Sequence, residues 1–453
     1  MKARDEVIGR LSVRINGQPC AELRSRRDGQ LELQYLPDWV AQTGIARQAL
    51  SVALPVQAEP FGDDVAHPFF AGLLPESTSH RQRLGEILHL SGSDDFALIS
   101  AIGRDCAGAV SVVPIDAPVI REEDVPEEFD PLDEERLAEL IRDLPVRPLF
   151  IDEDGDNHLI SLAGVNDKAA VIVVDGVIGL PKNGYPSSHI LKTDISILKD
   201  SIKVEHFAVR LAGELGMKVP RSRIMTAEGI PFMLVSRYDR VVTQTGDRKR
   251  LRRIHQEDFC QALSLMPAAK FEARGGPGWK DAFQLLDHVD DRAGARLELL
   301  SRAFYTYLVA NSDGHAKNLS LLHRAGKTSL APLYDVSCQR AFVADYKRLS
   351  PYLTMSVGGE HDPTKLTGEH WDRFAAECGF QPAAVRKLLS SMAALMPAKA
   401  AALRETMRGT AADSPRLDIV VADVTARCQA VPAMLKRELD AEPVAEVAAF
   451  GVR

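Results

Sequence analysis

The sequence predicts an α+β chain of more than one domain, on three observations. Its 453 residues exceed the size at which a single hydrophobic core keeps growing. Alternating apolar runs punctuated by Asn-Gly and Asp-Gly crowd the part before residue 255. Helical periodicity dominates after it. With 45% apolar and 26% charged residues, each part can bury a proper core.

Taken in order, VIGRLSVRING (residues 7–17) and CAELRSRRDGQLELQYL (20–36) read as strands turned by Asn16-Gly17 and Asp28-Gly29. HPFFAGLLPES (67–77) and IGRDCAGAV (102–110) follow no clean helical period and read as packed loops. Residues 121–143 hold eleven acids and three arginines, which accounts for the whole formal charge of −8. Their PLDEERLAELIRDL pattern suits an amphipathic linker helix with a solvated face. Beyond residue 158, LISLAGVNDKAAVIVVDGVIGLP reads as strands separated by turns, with another strand at HILKTD (189–194). KVEHFAVRLAGELG (203–216) has helical spacing and a Gly216 stop. IPFMLVSRYDR and LRRI then read as a β pair around a basic turn, Arg248 to Arg250, a solvated hairpin tip rather than a nucleic-acid patch. A helix at 293–311 and Ala-rich helices near 383–403 and 411–453 complete the chain.

Composition excludes several functions. No run approaches the roughly 18 apolar residues of a membrane span, and MKARDEVIGR has no apolar leader core, so a cytoplasmic protein without a membrane partner is expected. An acidic total argues against autonomous nucleic-acid binding. The six cysteines lie far apart with no zinc-ligand spacing and read as reduced core residues.

The chemistry centres on Asp313, Asn318 and Asp335. Asp313 and Asn318 stand five apart in a loop after an apolar helix, the spacing of a kinase base and its metal-binding Asn, a pattern that also occurs by chance. A hairpin of 318–323 with 328–334 around residues 324–327 returns the chain so that Asn318 lies beside Asp335. A carboxylate that deprotonates a hydroxyl and hard oxygen ligands for Mg²⁺ are what phosphoryl transfer from ATP requires. His315 and Lys317 share that loop and can reach phosphate oxygens, or the loop is a plain turn with a structural histidine. Upstream, Lys192 closes the HILK strand where a phosphate-pairing lysine belongs, and Glu205 is its possible partner; a surface lysine with an unrelated glutamate is the plain alternative. Ser161 to Lys168, SLAGVNDK, can wrap phosphates with backbone N–H groups, although it is neither a Walker A nor a GxGxxG motif.

LELQYLPDWV, FFAGLLPES, IGRDCAGAV, ISLAGVNDK, HILK, VSRYDR, QEDFCQAL, GGPG, SDGHAKN and LAPLYDV occur in that order over nearly the whole chain, and together they resemble the HipA family of serine/threonine kinases. These are the toxin halves of bacterial HipA–HipB toxin–antitoxin pairs. The resemblance implies a protein-kinase-like bilobal fold: an extra β-rich N-terminal domain (1–115), an acidic linker helix (116–148), a β-rich N-lobe with a phosphate loop (149–254) and a helical C-lobe (255–453). It implies Asp313 as catalytic base and Asn318 and Asp335 as Mg²⁺ ligands. ATP would meet Ala163, Gly164, Val165, Asn166, Asp167 and Lys168 in the phosphate loop, Lys192 beside it, and the adenine hinge Ser236, Arg237 and Tyr238. His315, Ala316, Lys317, Asn318, Tyr334 and Asp335 would close the site. Two positions depart from the family pattern: Ser236 where a glutamate is common, and Asn166-Asp167 where glutamine-glutamate is common.

Ser161 resembles the family's autophosphorylation serine. A phosphate there would repel the loop that cradles ATP, unless Ser161 merely ends a strand. Implied partners are a HipB-like helix-turn-helix antitoxin, DNA reached only through it, and a protein substrate such as an aminoacyl-tRNA synthetase. Two other readings remain: an antitoxin-bound corepressor with secondary kinase activity, and a small-molecule kinase.

Overall fold

In the computed structural model, which describes residues 6–44, 48–119, 128–145, 147–150, 168–245, 248–347 and 349–437, the chain opens with the expected hairpins. β1 (Val7–Ile15), β2 (Gln18–Arg26) and β3 (Leu31–Tyr35) form an antiparallel meander. The first turn holds both Asn16 (φ 50°) and Gly17 (φ 78°) in the left-handed region, the type I′ geometry that matches strand twist. After α1 (Pro37–Val40) come α2 (Asp63–Gly72), α3 (Thr78–Leu88) and α4 (Asp95–Ile102), and β4 (Val110–Pro114) then pairs with β1 to give the order β3-β2-β1-β4. The structure therefore differs from the reading of 67–77 as a packed loop: residues 67–72 lie in α2. Its acidic first turn and the burial of Ala66, Phe69 and Phe70 outweigh Pro68, which removes one helical hydrogen bond.

The second unit is a six-stranded sheet, β5 (Phe129–Pro131), β6 (Lys168–Val174), β7 (Val177–Pro181), β8 (His189–Lys192), β9 (Ser222–Ala227) and β10 (Ile230–Ser236), in the order β5-β7-β6-β8-β10-β9. α5 (Glu134–Asp143), expected to be a linker, is instead part of this unit. Leu137, Ala138, Leu140 and Ile141 share one core with Val171, Leu191, Phe232 and Leu234, so its charged face is solvated and its apolar face is committed. Strand alternation turns Ala170 and Ile190 the other way, against the N-terminal core. α6 (Ser201–Glu214) follows β8 and joins the helical core through Val204, Phe207, Ala208 and Leu211.

β11 (Arg240–Thr245) and β12 (Arg248–Arg253) form a separate ribbon, so residues 248–250 begin a strand rather than sit in a turn. β13 (His255–Asp258) leads into α7 (Phe259–Ala262), α8 (Trp279–Leu285) and α9 (Arg292–Leu308), the last capped by the Asp291 carboxylate on the Gly294 N–H at 3.0 Å. β14 (Ser320–Arg324) and β15 (Lys327–Leu330) make the expected hairpin and extend β13 to three strands. Pairing ends near Leu330, short of the expected 334. α10 (Gly368–Glu377), α11 (Pro382–Met407) and α12 (Arg416–Met434) close a helical core around Trp371 and Phe304. All six cysteines are buried and free. No helix among the described residues is long and apolar enough to cross a membrane.

Candidate active site

The register of three strands builds one wall of a cleft. Lys168 in β6 and Met233 in β10 both stand opposite Lys192 in β8, so all three face the same side of the sheet. Ile190 and Val235, two residues on, supply apolar wall to the same cleft of about 440 Å³. Two half-buried lysines side by side need carboxylates. Lys192 Nζ lies 2.6 Å from Glu205 Oε1 on α6 and 2.8 Å from Asp335 Oδ1. Burial alone would lower Lys192, but Asp335 and Glu205 hold it above the ordinary lysine range. Lys168 goes the other way, pushed down to about 8 by burial and by Lys192.

The opposite wall is the segment after α9. Asn311 Oδ1 accepts the Asp313 N–H at 3.2 Å and the Ser337 N–H at 3.4 Å, tying the loop to the extended segment that runs past Asp335. Asn318, at the end of a single 3-10 turn (Ala316–Asn318), donates from Nδ2 to the Asp313 carbonyl at 2.7 Å and to the Asp335 carbonyl at 3.4 Å. Its amide oxygen is thus turned away from both. Asp335 has φ 56°, a conformation that costs an L-residue energy and holds its carboxylate at the cleft. Tyr334 hydroxyl bridges Ser320 Oγ at 2.7 Å and the Lys317 carbonyl at 2.8 Å, fixing the approach to Asp335.

Among the described residues, Asn318 Oδ1 and Asp335 Oδ2 accept no hydrogen bond, which leaves two hard oxygen donors on side chains that line the same cleft. That set fits a magnesium ion shared with phosphate oxygens, since Mg²⁺ takes one or two protein ligands plus phosphate and water. No cluster of three or more His, Cys, Asp or Glu that could hold a metal alone occurs among the described residues.

Asp313 Oδ1 is 3.8 Å from His315 Nε2. The Asp313 side chain keeps 46% of its surface open to the cleft. Desolvation by the cleft walls and the Asp335 charge push its carboxyl up to about 7, against an opposing pull from Lys270. His315 packs its edge on Phe271 at 5.3 Å, and burial and Lys270 push it down to about 4, which favours the neutral imidazole; its buried Nδ1 has no hydrogen-bond partner among the described residues.

Three expected contacts take another form. Lys317 was expected at phosphate oxygens, but its Nζ is 2.5 Å from Asp258 Oδ2 and 3.3 Å from the Gly72 carbonyl, with Glu76 at 3.9 Å, so its charge braces the loop from below. The Arg237 side chain points out of the cleft into a buried cluster with Asp239, Ser187 and the Cys106 carbonyl. The N–H groups of Ser236 and Arg237 are already bonded to the Arg221 and Ser188 carbonyls. Tyr238 stacks on Tyr334 at 5.3 Å. Ser161 and residues 163–167 lie outside the described residues.

Sequence reasoning missed Glu76 and Lys270, which line the same cleft. Glu76 stands inside FFAGLLPES, whose apolar letters point to packing. Nothing local marks Lys270.

A model of the HipA N-terminal domain matches residues 11–113, and a model of the HipA-like C-terminal domain matches residues 160–400. The chain belongs to the HipA family. A putative kinase of Sinorhizobium fredii, Y4mE, is 34% identical over 93% of this chain and 98% of that protein. The serine/threonine-protein kinase toxin HipA of Shewanella oneidensis is 29% identical over 74% of this chain and 75% of its own length. HipA from that organism's complex with HipB and operator DNA superposes with a TM-score of 0.80 at 23% identity, covering 95% of this chain and 100% of that one. This HipA-family chain is therefore a serine/threonine kinase of the toxin class with an α+β, protein-kinase-like fold.

Proposed function

We propose that the chain moves the γ-phosphoryl group of ATP to a serine or threonine hydroxyl of a protein, with Asp313 as the base. The observation that carries this is the meeting of Asp313, Asn318, Asp335 and the Lys192–Glu205 pair, from four separate chain segments, in one cleft. The Asp313 carboxylate takes the proton of the incoming hydroxyl as its oxygen bonds to the γ-phosphorus, and ADP departs with the electrons of the broken P–O bond. With its carboxyl near neutrality, Asp313 is strong enough to take that proton and is still ionised in a useful fraction of molecules. Lys192, held by Glu205, points a cation at the α- and β-phosphates. Adenine would lie on Ile190, Met233 and Val235 against the hinge at Ser236 to Tyr238. Asn318 and Asp335 would hold Mg²⁺, which when bound neutralises phosphate charge.

Ser161, just before the strand that carries Lys168, is the proposed autophosphorylation site; a phosphate there would oppose ATP electrostatically. A HipB-like antitoxin is the proposed partner, supported by the relative solved with HipB and operator DNA, and DNA would be reached through it. That complex also favours a second role as an antitoxin-bound corepressor. The proposed substrate class is a translation component such as an aminoacyl-tRNA synthetase.

Incubating the purified chain with γ-labelled ATP and Mg²⁺ tests the proposal. Label should appear on protein serine or threonine, and Asp313→Ala should lower transfer by about 10²–10⁴-fold. Full activity in that variant, or label on an amino alcohol or sugar but on no protein, would overturn it.

A further inference from the structure

The N-terminal unit does more than abut the cleft: it inserts a charge into it. α2 runs its C-terminal end against α7, where Gly72 packs so closely that a Cβ would come within 2.7 Å of Gln261 Cγ. Gln261 Nε2 also donates to the Phe69 carbonyl at 2.8 Å. The chain leaving α2 then delivers Glu76 between two lysines of the other unit. Glu76 Oε2 is 2.7 Å from Lys270 Nζ, and Oε1 is 3.9 Å from Lys317 Nζ. Both partners of the Glu76–Lys270 pair are 11% exposed, so the pair is largely shielded from water.

The four cleft lysines differ in how they are held. Lys192 is shared by Glu205 and Asp335, and Lys168 stands beside it on the sheet. Lys317 is bonded to Asp258 and the Gly72 carbonyl beneath the loop. The Lys270 ammonium has Glu76 as its one hydrogen-bond partner among the described residues, leans on the Phe271 ring at 5.2 Å, and lines the same cleft as Asp313. Its carbonyl accepts the Ala316 N–H at 3.5 Å, and Phe271 packs on His315, so side chain and backbone both bear on the 313–318 loop.

We propose that Glu76 is a positioning residue supplied by the N-terminal unit, and that the Lys270 ammonium it holds is the cation that meets the γ-phosphoryl group during transfer. This rests on the phosphoryl-transfer reading of the cleft. The chemistry is suited to it: as the phosphoryl group passes from ADP to the acceptor oxygen, charge gathers on its equatorial oxygens, and a pre-aimed cation near the base stabilises it without reorganisation. Burial would raise Glu76, but Lys317 and Lys270 hold it below the usual glutamate range, so it remains an anion. The N-terminal unit is thereby needed for turnover and not only for assembly.

The test is a double-mutant cycle on the full chain, reading kcat and KM for ATP, Mg·ADP affinity and Tm. Lys270→Met and Glu76→Gln should each lower kcat by about 10–100-fold. Mg·ADP affinity should stay near that of the parent, because ADP lacks the phosphoryl group involved, while Tm should fall modestly and separately from kcat, since each variant leaves a shielded charge without its partner. In the Lys270→Met background, Glu76→Gln should change kcat less than about twofold, since Glu76 acts through Lys270. Lys270→Arg should recover part of the rate, and Glu76→Asp covers the case in which Glu76→Gln disturbs folding. Unchanged kcat in Lys270→Met, multiplicative losses in the double variant, or parallel losses of kcat and ADP affinity would overturn the proposal. Failure of the underlying reading would look different: no transfer by the parent, or transfer retained by Asp313→Ala.

Discussion

Two ion clusters, one buried and one open to the cleft, join segments far apart in this sequence, and they differ in how fully their hydrogen-bonding capacity is used. At the hinge edge, Asp105 of the N-terminal unit accepts from Arg240 Nη2 at 2.8 Å, Arg253 Nε at 2.9 Å, and the Ser187 hydroxyl at 2.8 Å. Asp239 accepts from Arg237 Nη2 at 2.8 Å and the Gly108 N–H at 2.7 Å, and the arginines spend their other N–H groups on the Cys106, Ser187 and Gly108 carbonyls. In the cleft, by contrast, Asp335 Oδ2, Asn318 Oδ1, the Asp313 carboxylate and His315 Nδ1 lack hydrogen-bond partners among the described residues. Saturated buried charge acts as cement, because removing one member strands the others. Unsaturated charge is kept for something that arrives.

Breaking the cement should produce the largest effect on the fold. Asp105→Ala leaves the Arg240 and Arg253 guanidinium groups without their buried carboxylate, and we expect about 4 kcal/mol lost in urea or thermal unfolding. Molecules that remain folded should keep transfer within a few-fold per folded chain, because Asp105 does not line the cleft. A loss below about 1 kcal/mol would mean that the cluster is solvated in solution. Breaking the cleft should do the reverse. Asp335→Asn keeps a residue that tolerates the left-handed region, so Tm should move little, whereas transfer should fall by about 10²-fold or more, equivalent to about 3 kcal/mol of barrier. Lost activity with an equally lost Tm would show that Asp335 belongs to the cement as well.

The two clusters were also unequally legible in the sequence. Asp313, Asn318 and Asp335 could be related because one tight hairpin separates them, and its Ala325-Gly326 turn, with φ of 51° and 75°, is a local signal. Lys192 and Glu205 lie 13 residues apart, across one strand end and one helix start. The Glu76–Lys270 pair spans 194 residues and the Asp105–Arg240 pair 135, distances over which periodicity and turn chemistry carry no information. The same limit explains α2: its helix is stabilised by burial of Phe69 and Phe70, while its local sequence contains a proline. The acidic run was legible as a helix from its own spacing, yet its docking on Phe232 and Leu234 depends on strands formed later in the chain.

A pH titration sharpens the contrast by a smaller amount. Burial would raise Asp105, but Arg240, Arg253 and Arg237 hold it well below the ordinary value of 3.8, and Arg237 and Arg240 do the same for Asp239. A carboxylate depressed in the folded state contributes stability that is complete above its unfolded pKa and disappears as pH falls through the folded one. The parent should therefore hold constant cement-derived stability from pH 7 to about 5 and lose it progressively below about 4, where the unfolded chain takes up protons that the folded cluster refuses. Asp105→Asn removes one such group while preserving its shape, so its unfolding free energy should fall less steeply from pH 5 to 3, by a difference on the order of 1 kcal/mol. Parallel curves for the two proteins would mean that Asp105 gains nothing from its arginines on folding, and the hinge edge would then be held by Asp239 and the carbonyl contacts of Arg237 and Arg240.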